Sequence, residues 1–169
     1  AVIEVGLGGL LDSTNVITPV ASAITNVVLE HADRCDGTLE GVARHKAGII
    51  KEGIPVVTAA RGEALDIIRT EAEAKNSDIF VDGEDFSAQL ISTDEHVQRL
   101  EFRSELLGVD RLAYELHLLG SYQIENSALA IMTATLLHNV NADERVTREH
   151  IVHALKLVDW PGRVERMDL

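Results

Sequence analysis

A carboxylate, an imidazole and an amine stand out as the side chains able to do chemistry together: Glu4, His31 and Lys46. Glu4 sits inside an apolar, β-type run that ends at the glycines Gly6, Gly8 and Gly9. A carboxylate at the C-terminal end of a parallel strand lies where open α/β sheets bind ligands. Burying it unpaired is costly, so it needs a cation or several donors. Magnesium meets that need, because it takes carboxylates, water and substrate phosphates. The bland alternative is an edge glutamate held by hydrogen bonds. His31 follows a second β-rich run and can reach the same sheet edge, where it could ligate a metal or position phosphate. The competing reading is an exposed loop histidine. Lys46, in "ARHKAGIIK", has the small neighbours Ala47 and Gly48, which let other backbone approach closely. A lysine in a desolvated site can lose its proton. The neutral amine could then take up carbon dioxide as a carbamate anion and support a second cation. A solvated lysine is the plainer reading.

A second group lies late in the chain, in "GSYQIENSALA" and "WPGRVE". Gln123 and Asn126 are three apart and share a helix face. An amide such as Asn126 could hydrogen-bond a base edge, and Arg163 could form a fork with phosphate or ribose oxygens. A polar pair at a helix start and a surface arginine would look the same. The "GLGG" stretch lacks the Lys and Ser/Thr of a phosphate-cradling loop and is not GxGxxG.

The elements that must position these residues follow from periodicity. Residues 1–5 read as a strand, and "SAITNVVL" (22–29) as a second, apolar enough to be covered on both faces. A helix is expected over 37–50 with Thr38 as N-cap, closed by Gly53 and Pro55. Strands at 55–60 and 78–83 flank a helix at 63–75, where Leu65, Ile68 and Ala72 fall at helical spacing. Strand alternating with helix implies βαβ units and a mainly parallel sheet. After Gly83 the pattern becomes alternating, as in antiparallel strands with one wet face. Helices are expected over 121–140, with Ser121 as cap, and 147–158, with Thr147 as cap. The expected fold is therefore α/β, a mainly parallel sheet flanked by helices, with an additional antiparallel section.

Composition narrows the partners. The 169 residues are 46% hydrophobic and carry a formal charge of −13. Such a chain is long enough for one core, and its acidity disfavours nucleic acid, whose phosphates call for Lys and Arg. No apolar run reaches the roughly 20 residues that span a bilayer. The acidity with few lysines would also fit a high-salt cytoplasm, where self-repulsion is screened. A single cysteine, Cys35, excludes an internal disulfide and a multi-Cys metal site; it reads as a small buried apolar residue.

Taken in order, "EVGLGGLLDSTNV", "ITNVVLEH", "GTLEGVARHKAGIIKEG", "LLGSYQIENSALA" and "WPGRVE" resemble the folylpolyglutamate synthase/dihydrofolate synthase family, within the wider Mur ligase group. The resemblance implies a P-loop NTPase-like central domain and a cytoplasmic, ATP-dependent ligase. Such an enzyme activates a folate or dihydropteroate carboxylate as an acyl phosphate, which the amine of L-glutamate attacks. Phosphorylation supplies the leaving group that a carboxylate lacks, and Mg2+ shields charge during transfer. By the same resemblance Glu4 and His31 are magnesium-site residues, and Lys46 matches the lysine that is carbamylated in this group. Asn126 with Gln123, and Arg163, match nucleotide contacts. Asp12, Thr14 and Asn15 fall in the folate-side segment. Four places depart from the family pattern: Leu10 stands for its usual Arg, Glu30 for Asp, Tyr122 for a common His, and Cys35-Asp36-Gly37 for Leu-Gly-Asp. The P-loop is expected upstream of Ala1 and a C-terminal domain after Leu169. Residues 1–160 then form a partial central domain and 161–169 the start of a linker, a piece expected to be inactive alone. The alternatives are a cell-wall Mur-type amide ligase and a non-catalytic remnant.

Overall fold

In a computed structural model, which describes residues 1–29, 35–105, 111–141 and 146–160, the chain divides into two units, Ala1–Val81 and Asp82–Leu169. In the first unit, three short strands form a parallel sheet in the order β1 (Ser22–Ile24), β2 (Val56–Thr58), β3 (Ile79–Val81). Helix α1 (Leu39–Ala47) connects β1 to β2 and α2 (Gly62–Ala74) connects β2 to β3, as parallel pairing requires. Thr38 caps α1 by accepting from the Gly41 N–H at 2.9 Å. Arg44, His45 and Lys46 occupy the last turn of α1, where cations meet the negative end of the helix dipole. The core gathers Ile24, Ala43, Ile50, Val56, Ile68 and Val81. Ile68, fully buried on α2, contributes roughly 1.5–3 kcal/mol by leaving water.

Two expected strands are corrected. Residues 1–5 are not a strand: among the described residues they have no ladder partner, and Val2 is 98% exposed. An apolar β-type sequence does not make a strand without a neighbour to receive its hydrogen bonds. The 22–29 run is strand only through Ile24, because its partner β2 spans three residues; Val28 and Leu29 are exposed.

In the second unit β4 (Ser87–Thr93), β5 (Gln98–Arg103) and β6 (Leu112–Leu116) form an antiparallel sheet. Alternate residues of β5 and β6 are buried, as the wet-face expectation requires. Helix α3 (Tyr122–Asn141) packs on β4 and β5, and α4 (Arg148–Leu157) on β6. The Tyr114 hydroxyl and Ser127 Oγ lie 2.6 Å apart, tying β6 to α3. Thr147 caps α4 reciprocally with His150, and Lys156 meets Glu115 of β6 at 3.0 Å. No helix among the described residues is long and apolar enough to cross a membrane.

Candidate active site

The first unit holds a cleft of about 230 Å³ whose lining includes Gly6, Leu7, Gly8, Thr25, Asn26 and Lys46. Thr25 and Asn26 follow the last residue of β1 directly, so the cleft opens at a carboxyl strand end, the usual ligand position in open α/β sheets. Cys35 lies in its wall and is buried.

The glycine-rich loop reaches this position by packing backbone against backbone on the end of α1. A Cβ on Gly9 would fall 2.8 Å from the His45 carbonyl oxygen and 2.7 Å from Ile49 Cγ2. A Cβ on Gly48 would fall 2.5 Å from Leu10 Cβ. The approach lets the Leu10 N–H donate to the His45 carbonyl at 2.8 Å. Leu10 thus rests on Gly48.

Asp12 holds the loop from inside. Its carboxylate accepts from the Thr14 hydroxyl at 2.6 Å, the Thr14 N–H at 2.9 Å and the Leu7 N–H at 3.1 Å. These bonds, led by the Thr14 hydroxyl, lower its pKa to about 2, because each stabilises the charged form. Asp12 also caps the short 3-10 turn Ser13–Val16. Asn15 donates from Nδ2 to the carbonyls of Leu10 at 2.9 Å and Gly48 at 3.1 Å. Lys51 Nζ donates to the Asn15 carbonyl at 2.9 Å. Asp12, Thr14 and Asn15 therefore form one hydrogen-bonded loop beside the cleft.

Lys46 is half-buried. Among the described residues its amine makes no hydrogen bond or ion pair, whereas Lys51, Lys75 and Lys156 all have partners. Glu4 is exposed and stands directly before the cleft-lining residues Val5 and Gly6. His31 lies outside the described residues, and among those described no three His, Cys, Asp or Glu gather around a metal position. The carboxylate of Glu4 is a hard oxygen donor, which fits magnesium, an ion that keeps waters and substrate phosphates rather than an all-protein cage.

In the second unit Gln123 and Asn126 share the first turns of α3. Asn126 Nδ2 donates to Gln123 Oε1 at 3.1 Å. Gln123 is 7% exposed and Asn126 is exposed. The bond fixes the Asn126 amide through its Nδ2. Arg163 lies outside the described residues. Thr25, Asn26 and Cys35 were not among the residues singled out for the cleft; the signal for the first two was the end of the 22–24 strand.

Residues 1–134 match the model of the Mur ligase middle domain. The chain is 38% identical over 168 residues to folylpolyglutamate synthase of Lacticaseibacillus casei, covering 99% of this chain and 39% of that protein. It is 37% identical to dihydrofolate synthase/folylpolyglutamate synthase of Bacillus subtilis (strain 168), covering 97% and 38% respectively. A solved FPGS–AMPPCP–folate complex superposes with a TM-score of 0.92 at 36% identity, over 98% of this chain and 40% of that one. The chain thus spans about two fifths of the length of these relatives. A match across most of its length, on a parallel sheet whose carboxyl edge carries the Lys46 cleft, shows that the chain belongs to the Mur ligase middle domain family.

Proposed function

We propose that this chain is the central, nucleotide-handling part of an ATP-dependent ligase. The reaction joins L-glutamate to a folate or dihydropteroate carboxylate through an acyl phosphate. One observation carries the reading: a half-buried lysine, its amine without a partner among the described residues, in a cleft at the carboxyl end of a parallel strand. Phosphoryl transfer is mostly positioning and charge stabilisation, and Lys46 supplies a reactive or cationic group where anionic oxygens would lie. The names of the Lacticaseibacillus casei and Bacillus subtilis relatives and the AMPPCP–folate complex support the substrate class.

Glu4 and His31 would hold Mg2+, which shields phosphate charge. Asn126, oriented by Gln123, would take the nucleotide base, and Arg163 its phosphate or ribose oxygens. Asp12, Thr14 and Asn15 hold the loop that faces the folate. The full-length parent, given ATP, magnesium and glutamate, should extend a pteroate or folate and leave a UDP-linked muramyl substrate unchanged; the reverse preference overturns the folate reading. Lys46→Met should lower kcat by roughly 10²–10³-fold, the scale for losing one charge-stabilising group. With 13C-bicarbonate, a carbamate carbon resonance should be present in the parent and missing in that variant. Full turnover by Lys46→Met would sink the role given to the lysine.

A further inference from the structure

Gln98 breaks the pattern of β5. Alternate residues of that strand face inward, and the others in its row are Leu100 and Phe102. Gln98 is 4% exposed and stands opposite Leu116 in the ladder. A buried amide must be hydrogen-bonded to be tolerated. Its Nε2 donates to the Leu118 carbonyl at 2.7 Å and to the Gly120 carbonyl at 3.3 Å. Both belong to the turn that launches α3. The Gly120 carbonyl also accepts from the Gln123 N–H at 3.1 Å. One oxygen therefore joins the Gln98 side chain to the first turn of α3 at Gln123, which in turn orients Asn126.

The turn has little freedom on its other side. Gly120 has φ of 109°, and a Cβ there would fall 2.8 Å from the Tyr122 ring. A side chain at Gly120 would therefore have to displace the Tyr122 ring.

We propose that Gln98 is a positioning residue for the nucleotide: through the Gly120 carbonyl it sets the place and angle at which Gln123 and Asn126 meet the base. This rests on the reading that the Gln123–Asn126 pair binds ATP. Small displacements of a binding group are expensive because the contact geometry is narrow.

The test uses the full-length parent. Gln98→Met keeps the length of the side chain and removes both donors. Leu100→Val, from the same inward row, serves as a control of packing alone. In the nucleotide-free protein, Gln98→Met should speed hydrogen exchange at the Gln123 and Ile124 amides, whose acceptors are the Gly120 and Ser121 carbonyls; Leu100→Val should not. Gln98→Met should also weaken AMPPCP binding roughly ten-fold and raise KM for ATP with little change in kcat. An AMPPCP Kd within about two-fold of wild type, less than 0.5 kcal/mol, overturns the inference even if Tm falls. Should Gln98→Met fail to fold, Gly120→Ala moves the same turn with Gln98 intact, and unchanged AMPPCP binding there overturns it equally. Asn126→Ala separates the two levels. If it weakens AMPPCP and Gln98→Met does not, only the positioning role falls. If Asn126→Ala has no effect, the nucleotide reading itself falls and the proposal with it.

Discussion

Gly48→Ala tests, by the sign of its effect, whether the glycine-rich loop is held by close packing. Gly48 closes α1 with φ −61° and ψ −5°, a conformation alanine adopts freely. At such a position Gly→Ala ordinarily stabilises by about 0.4–1 kcal/mol, by restricting the unfolded chain. Here the new methyl would lie 2.5 Å from Leu10 Cβ, 2.6 Å from Leu10 Cδ1 and 2.8 Å from Leu10 Cα. The last of these is backbone, so a rotamer change cannot relieve the clash. The loop has to lift, which stretches the Leu10–His45 backbone bond of 2.8 Å and the Asn15–Gly48 bond of 3.1 Å. Overpacking of this kind costs about 1–3 kcal/mol. Setting that against the entropic gain leaves a net destabilisation of up to about 2.6 kcal/mol, centred on about 1 kcal/mol. Urea unfolding of the 169-residue chain would read this as a lower midpoint at unchanged slope. Thermal melting would show a fall of roughly 2–4 °C for each kcal/mol. A variant more stable than wild type would refute the packing argument and with it the account of how the loop is seated beside Lys46.

Other outcomes follow from single contacts. Asp12 has its folded pKa lowered from 3.8 to about 2, so its contribution is fully present above the unfolded value and is lost as pH falls through the folded one. Asp12→Asn should therefore flatten the drop in Tm between about pH 4 and pH 2 relative to wild type; an unchanged pH profile would contradict the assigned bonds. Tyr114→Phe removes a 2.6 Å bond between buried partners and should cost about 1–2 kcal/mol in urea unfolding. A neutral result there would mean that Ser127 is satisfied by the Ile124 carbonyl alone, 2.9 Å away.

Much of this molecule was determined locally and is legible along the chain. Thr38 and Thr147 cap their helices because a hydroxyl needs only the amide three residues on, so the signal and the contact lie in one short window. Alternation in "HVQRLEF" and "RLAYEL" marked strands with one buried face, and β5 and β6 have that pattern. The small residues around Lys46 signalled close backbone approach, which Gly48 provides.

Tertiary structure decided the rest. Residues 1–5 have the composition of a strand, but a strand exists only when another lies beside it, and pairing is not a property of the segment. Asp12 can be placed in the loop beside the glycines from sequence; that its charge is spent on Thr14 and Leu7 depends on how the loop closes. Gln98 looks like one more polar residue in an alternating run. Its role comes from carbonyls 20 and 22 residues away, brought to it by the β5–β6 pairing and the turn into α3. Local periodicity selects helices and strands because their hydrogen bonds and side-chain spacing repeat within a few residues. The site depends on contacts between distant segments, and those are fixed only when the chain has folded.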